Sequence, residues 1–413
     1  MKSNYRRIGD YIREVKIKNK DLSITDLKGI NIDKYFMPSV ANTIGTDMTK
    51  YKVVKKGQFA CNRMHVGRDK RLPIALHLED TSIIVSPAYT VFEIVDESVL
   101  DAEYLMMWFS RSEFDREAWF YTDSDVRGGL SLDDFMDIKI PILPIEKQRE
   151  IVKEYNTVLD RIKLNENIIE KLEEGVQSIF KQWFEEFYFP DRENKHYKLN
   201  GGKLEYNSQI DKFIPTDFYI GNLENLVSII DGDRGKNYPS KEEIYDEGFC
   251  LFLNAGNVTN KGFKFIENSF ITEEKDKLLR KGKLSRNDVV VTSRGTVGNV
   301  GYYSDVIPFE NIRINSGMVI LRADKYREYG IFTYILLRST YMKNIIESYL
   351  SGSAQPQLPI KDLVKIPIII PDHQTIIKFT EIATVYQKFI DLKNIENEKL
   401  LRLKYLVLEK MSK

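Results

Sequence analysis

Lys139-Ile140-Pro141-Ile142 returns as Lys365-Ile366-Pro367-Ile368, and each copy leads into a long, highly charged stretch with helical periodicity. Other echoes fall at nearly the same spacing. Gly29 answers Gly256, Asn62-Arg63-Met64-His65-Val66-Gly67 answers Ser293-Arg294-Gly295-Thr296-Val297-Gly298, and Gln148 answers Gln374. A repeat unit this long exceeds a solenoid repeat and fits a duplicated domain plus its connector. The chain is therefore expected to present two similar, non-identical modules to one extended partner.

The connectors read as rods. From Ile145 to about Glu186 there is no proline and one glycine, Gly175. Ile151, Tyr155, Val158, Ile162, Ile169, Leu172, Val176, Ile179 and Trp183 recur at alternating four- and three-residue steps, a heptad seam. Asn165 fills the gap in that series, a polar seam residue of the kind that fixes register at some cost in stability. A helix of about 40 residues is roughly 60 Å long at 1.5 Å per residue. After Pro371 a looser seam follows through Val385, Phe389, Leu392, Ile395, Leu400, Leu403 and Leu406, and two such helices are expected to pair. Boundaries follow: modules over residues 1–144 and 189–371, rods over 145–188 and 372–413.

Each module mixes short β-rich runs with helices. Residues 82–85 and 289–292 read as strands, and residues 102–119 and 331–349 as helices with aromatic faces. Residues 351–357 read as a polar connector, at the place held by residues 125–129 in the first copy. The fold class expected is mixed α/β.

Bulk numbers bound the function. With 413 residues and 42% hydrophobic content the chain has material for at least two cores. Lys+Arg and Asp+Glu both number 61, so net charge supplies no long-range pull toward nucleic acid and local patches decide. Two cysteines, Cys61 and Cys250, at unrelated places in the repeat, argue against a disulfide framework or a four-ligand zinc site. No apolar run reaches the roughly 18 residues of a spanning helix, and the N-terminus lacks a signal-peptide pattern, so a cytoplasmic protein without a membrane partner is expected.

Two loops carry the chemistry. After the apparent strand Phe59-Ala60-Cys61 come Asn62, Arg63, His65, Arg68, Lys70 and Arg71; in the second copy Arg280, Lys281, Lys283 and Arg286 precede a strand and then Ser293, Arg294, Thr296 and Asn299. Arg and small polar side chains in such loops suit phosphates and base edges. A solvated basic turn is the plainer alternative, and recurrence at matched places favours nucleic acid. Arg234 and Lys236, within Asp231-Gly232-Asp233-Arg234-Gly235-Lys236, are candidates for backbone contacts. That segment lacks the earlier glycine of a phosphate loop, so nucleotide hydrolysis is unsupported.

Catalytic signatures are missing. There is no Asn/Asp-Pro-Pro-aromatic tetrapeptide and no Gly-x-Gly-x-x-Gly loop. Pro190-Asp191-Arg192-Glu193-Asn194-Lys195 imitates a metal-nuclease pattern, but its carboxylates are too close in sequence to build that site. The four histidines lack metal-ligand spacing, so neither metal nor cofactor is expected on this chain.

Taken together, the duplicated Lys-Ile-Pro-Ile segments, the helix openings Pro144-Ile145-Glu146-Lys147-Gln148 and Pro371-Asp372-His373-Gln374, and the repeated Arg loops resemble the specificity subunits of type I restriction-modification systems over essentially the whole chain. The resemblance implies two target-recognition domains, two antiparallel helices and an internal pseudo-twofold. It implies no catalysis by the chain itself. Its partners would be double-stranded DNA, two modification subunits that bind S-adenosylmethionine and methylate adenine, and optionally two restriction subunits. Each domain would read half of a split site. Lys399 stands where the first seam has Leu172, so the second seam is less regular. The competing reading is a coiled-coil adaptor joining protein partners without touching DNA.

Overall fold

In the computed structural model the described residues are 4–39, 45–64, 66–122, 128–350 and 357–411. His65, residues 125–127 and residues 351–356 of the expected connectors lie outside them.

The chain packs as two units. Unit 1, Met1–Arg161 with Leu400–Lys413, holds β1 (Tyr5–Arg7), β2 (Ile12–Glu14), β3 (Phe59–Cys61), β4 (Ile74–Leu76), β5 (Thr90–Ile94) and β6 (Lys139–Pro141). Helices α1 (Ala102–Phe109), α2 (Ser112–Phe120) and the start of α3 (Ile145–Phe184) complete it. Unit 2, Ile162–Lys399, holds β7 (Tyr219–Gly221), β8 (Ser228–Asp231), β9 (Val289–Thr292), β10 (Val300–Tyr302), β11 (Met318–Arg322) and β12 (Ile368–Ile370). With them are α4 (Glu328–Leu337), α5 (Thr340–Leu350), the rest of α3, and α6 (His373–Lys410) up to Lys399. Further short strands complete both units, including the parallel pair Cys250–Leu253 and Ile312–Ile314.

The duplication is visible in the sheets. Unit 1 has the antiparallel order β2-β5-β3-β4 and unit 2 the antiparallel order β8-β11-β9-β10; β1 pairs with β6 as β7 pairs with β12. Phe59 stands opposite Phe92 and Leu76, and Val289 opposite Leu321 and Tyr302. Beyond the strands, the Arg63 carbonyl accepts from Leu130 N at 2.9 Å and the Ser293 carbonyl from Leu358 N at 3.1 Å. Arg63 is thus the structural counterpart of Ser293, one position away from the sequence echo that aligned it with Arg294. Lys139-Ile140-Pro141 forms β6, whereas Lys365-Ile366-Pro367 precedes β12. Gln148 and Gln374 also part company. Gln148 is fully buried, donating to Val99 O and Leu143 O and accepting from Asp101 N, while Gln374 is exposed.

An aromatic cluster anchors the main core of each unit. Phe59 stacks on Phe92 at 4.9 Å, with Phe109 edge-on to both, in unit 1. In unit 2 the end of α3 supplies Phe180, Trp183 and Phe184, which surround the fully buried Phe379 of α6. Burying one such ring is worth about 1.5–3 kcal/mol.

The two long helices pair antiparallel within each unit. In unit 1 the start of α3 meets the end of α6: Ile151, Val152 and Tyr155 share a core with Val407, Leu408 and Met411, and Glu154 accepts from Lys410 at 2.5 Å. In unit 2 the end of α3 meets the start of α6, and Asn165 Nδ2 donates to Asn397 Oδ1 at 2.9 Å. Val158 and Ile169 are buried; Ile162 and Leu172 are half-buried. The expected second seam lies elsewhere on α6. Val385, Phe389 and Leu392 are 54%, 53% and 44% exposed, while the inward stripe is Ile376, Phe379, Thr380, Ala383, Gln387, Ile390 and Asp391. Its polar members are satisfied internally: Asp391 accepts from Ser304 Oγ at 2.6 Å and from Gln387 Nε2 at 2.8 Å. No helix among the described residues is long and apolar enough to cross a membrane.

Candidate nucleic-acid interface

Unit 2 gathers distant basic residues around the turn at residues 315–317. That turn is locked by Asn315 Oδ1, which accepts from Gly317 N at 2.8 Å. On one side Ser293 N and Oγ and Arg294 N all donate to Gly317 O, at 2.8, 3.0 and 3.2 Å. On the other, Arg234 Nη2 donates to Ser316 O at 3.2 Å. A methyl group on Gly232 would stand 2.1 Å from Asn315 O, so only glycine lets the segment after β8 approach so closely. Asp233 then joins a third loop by accepting from Gly235 N at 2.9 Å and Arg280 N at 2.8 Å. Those two N–H groups hold its carboxyl below the usual carboxylate range.

The result is one edge carrying Arg234, Lys236, Arg280, Lys281 and Arg294, all exposed. Among the described residues, the side chains of Lys236, Lys281 and Arg294 form no ion pair, and the Arg280 guanidinium forms none either but lies within the field of Asp233. Unpaired cations projecting from loops that are fixed by backbone bonds suit a row of phosphates, with arginine also able to reach guanine. Arg280 and Lys281 are visible in the sequence as a basic pair; their place beside Arg234 depends on Asp233, which nothing local signals.

Thr296 and Asn299 leave this edge. Thr296 Oγ1 donates to Ala255 O at 3.1 Å, and Asn299 Nδ2 donates to Val258 O at 2.9 Å. Asn299 lines a cleft of about 680 Å³ whose other walls include Glu166, Glu173, Asn394 and Asn397. Beside it the half-buried Arg338 donates to Glu173 at 2.6 Å.

In unit 1 the expected loop residues are largely occupied within the fold. Arg63 Nε donates to Thr90 Oγ1 at 3.0 Å and Nη1 to Leu130 O, so this guanidinium ties β3 to β5 and to the segment before α3. Asn62 accepts from Met64 N at 3.2 Å. Arg68 forms two bonds with Asp69, at 2.7 and 2.9 Å, and the Lys70 ammonium lies 4.9 Å from the centre of the Trp119 ring. The structure therefore gathers Arg234, Lys236, Ser293 and Arg294, and does not gather Arg63, Arg68 and Lys70 into a comparable edge.

Other polar features serve the fold. Asp191 accepts from the N–H groups of Glu193 and Lys195 and from Asn200 Nδ2, so its carboxylate closes a turn. Burial pushes the Cys61 and Cys250 thiols up to about 12, which keeps both as unreactive thiols. Among the described residues no group of three His, Cys, Asp or Glu is placed to hold a metal.

Residues 215–405 match a family model described as the type I restriction modification DNA specificity domain. The MjaIX specificity subunit of a type I restriction enzyme from Methanocaldococcus jannaschii is 24% identical over 273 residues, covering 65% of this chain and 59% of the relative. The MjaVIII specificity subunit from the same organism is 24% identical over 272 residues, covering 64% and 59%. The chain thus spans about three fifths of the length of these curated relatives. The S subunit of a type I restriction-modification system from M. genitalium, a solved structure, is similar in fold at 16% identity, with a TM-score of 0.55 over 98% of this chain and 95% of that one.

Proposed function

We propose that this chain, which carries the type I restriction-modification DNA specificity domain and has the fold of a type I specificity subunit, is the DNA-reading subunit of such a complex. In this reading each unit contacts one half of a bipartite target and the paired helices set the unread gap. The observation that carries it is the unit 2 edge, where three loops from distant parts of the sequence bring Arg234, Lys236, Arg280, Lys281 and Arg294 together on a duplicated sheet.

In this reading the chain acts without chemistry of its own. Methyl transfer belongs to two modification subunits, which bind S-adenosylmethionine, and two restriction subunits complete the complex when cleavage is required. Modification subunits dock on the helices. The exposed Val385, Phe389 and Leu392 stripe supports this, because an apolar row on a charged helix gains from being covered. A protein adaptor without DNA readout leaves the unpaired cations of unit 2 without a role, and it is the weaker reading.

Mapping N6-methyladenine across the genome of cells with the chain and its modification subunit, against cells lacking only the chain, tests this. A split motif present only with the chain supports the proposal. Identical maps, with the complex shown to assemble, refute it.

A further inference from the structure

One segment of unit 1 lies at the same distance along the chain from the duplicated sheet as Arg234 in unit 2. Glu14 is opposite Phe92 on β5, and Ile229 is opposite Leu321 on β11, so equal steps along the chain align Asn19 with Arg234. The segment is Lys16-Ile17-Lys18-Asn19-Lys20. The turn at residues 86–89, counterpart of residues 315–317, has the same internal bond: Ser86 Oγ accepts from Ala88 N at 3.3 Å as Asn315 Oδ1 accepts from Gly317 N.

Both features are built into one edge. Asn19 is buried and fixes the segment, donating from Nδ2 to Ile24 O at 2.8 Å and from its backbone to Tyr51 O at 3.0 Å. Ile17 O accepts from Val53 N at 2.9 Å, and Lys52 between these partners donates from Nζ to Tyr89 O at 2.5 Å. A single strand thus ties the basic segment to the turn. Lys16, Lys18 and Lys20 remain exposed, and Lys18 and Lys20 have no carboxylate partner among the described residues. Lys18 and Lys20 flank a buried anchor with their charges free for phosphates, whereas Arg68 is held by Asp69 and Lys70 lies over Trp119.

We infer that unit 1 meets the DNA backbone through Lys18 and Lys20 beside the turn at residues 86–89, the counterpart of the Arg234 edge in unit 2, and not through Arg68 and Lys70. This rests on the DNA-reading proposal above. The test uses the complex assembled with its modification subunits and a duplex bearing its mapped target. Affinity is followed against salt, and phosphate ethylation interference locates the contacts. Lys18→Ala/Lys20→Ala is expected to lower the slope of log K against log salt by about 2, at about 0.9 per phosphate contact, and to erase interference in one half-site only. Arg68→Ala/Lys70→Ala is expected to leave both unchanged. An unchanged slope for Lys18→Ala/Lys20→Ala overturns the inference, as does a loss confined to Arg68→Ala/Lys70→Ala. If the unaltered complex fails to bind its duplex specifically, the DNA-reading proposal itself falls, which is a separable result. Both pairs of side chains are exposed, and circular dichroism of the variants checks that unit 1 is folded.

Discussion

Replacing Asp391 with asparagine is expected to stabilise unit 2 near neutral pH. Asp391 lies on the inward stripe of α6, 7% exposed, and burial raises its carboxyl to about 6 even though Ser304, Gln387 and the nearby Arg338 favour the charged form. The ordinary value is 3.8, so the rise corresponds to about 3 kcal/mol at 1.36 kcal/mol per pH unit. The sign follows from proton linkage. Below about pH 4 both folded and unfolded chains hold the proton, and the residue imposes no penalty. Between about pH 4 and 6 the unfolded chain has released it while the folded chain retains it, so stability falls as pH rises. Above 6 the penalty is complete and constant. Asparagine mimics the protonated acid, accepting from Gln387 through Oδ1 and donating to Ser304 Oγ through Nδ2. Asp391→Asn is therefore expected to match the native chain near pH 4 and to exceed it by about 2–3 kcal/mol at pH 7.5. The chain has three tryptophans, and Trp108→Phe with Trp119→Phe leaves Trp183, packed on Phe379 in the unit 2 core, as the sole fluorescent reporter of urea unfolding. Parallel stability profiles for the two proteins from pH 4 to 7.5, or a loss of stability at pH 7.5, refute the reasoning.

Arg63→Ala is expected to cost unit 1 about 1.5–3 kcal/mol in urea unfolding by removing charged bonds to Thr90 and Leu130, while the methylation map keeps the same half-site letters. Gly232→Ala is expected to force residues 232 and 315 apart, cost about 1–3 kcal/mol, and weaken interference contacts in the half-site opposite to that affected by Lys18→Ala/Lys20→Ala. Asn165 is fully buried and its Oδ1 has no partner, so Asn165→Leu together with Asn397→Leu is expected to be neutral or stabilising, whereas Asn397→Leu alone costs about 1–3 kcal/mol by stranding the buried Asn165 amide; a double-mutant cycle in urea reads both. Inserting four residues at matched points of α3 and α6 is expected to lengthen the unread gap of the methylated motif, at about 6 Å of added helix, without altering either half-site; a changed half-site contradicts the spacer role.

The fold was legible wherever burial follows a simple period. Val289–Thr292 is an unbroken apolar and β-branched run and is a strand buried throughout; the heptads from Ile151 to Val158 face inward on α3. The second rod misleads for a definite reason. Its inward stripe contains Thr380, Gln387 and Asp391, whose polar groups are satisfied by neighbours that no local pattern reveals, such as Ser304. Val385, Phe389 and Leu392 then form the more apolar stripe by composition and point outward. The loop echo misleads for another reason. Arg recurs in both copies, but backbone bonds from Leu130 and Leu358 set the true register one residue away, making Arg63 an internal tie and Arg294 an exposed cation.

A net charge of zero is what this division of labour produces. In unit 2 several cations are consumed by buried carboxylates. Arg313 binds Asp276 at 2.5 Å with both side chains under 10% exposed, and Arg322 binds Asp288 at 2.6 Å. Each such pair is neutral in the count, and removing one partner strands a buried charge at about 3–5 kcal/mol, so neither member is available to DNA. On the Arg234 edge the side chains of Lys236, Arg280, Lys281 and Arg294 are exposed and form no ion pair among the described residues, against the nearby carboxylate of Asp233, which is engaged by backbone N–H groups. Within a Debye length of about 8 Å at physiological salt, a phosphate approaching that edge meets the local cations rather than the whole-chain sum. Composition is therefore silent about the interface. The informative quantity is which basic side chains, among the described residues, the fold leaves exposed and outside any side-chain ion pair or internal hydrogen bond, and by that measure Lys18 and Lys20 in unit 1 stand with Lys236, Arg280, Lys281 and Arg294 in unit 2, while Arg63, held by Thr90 and Leu130, and Arg68, Arg313 and Arg322, held by carboxylates, do not.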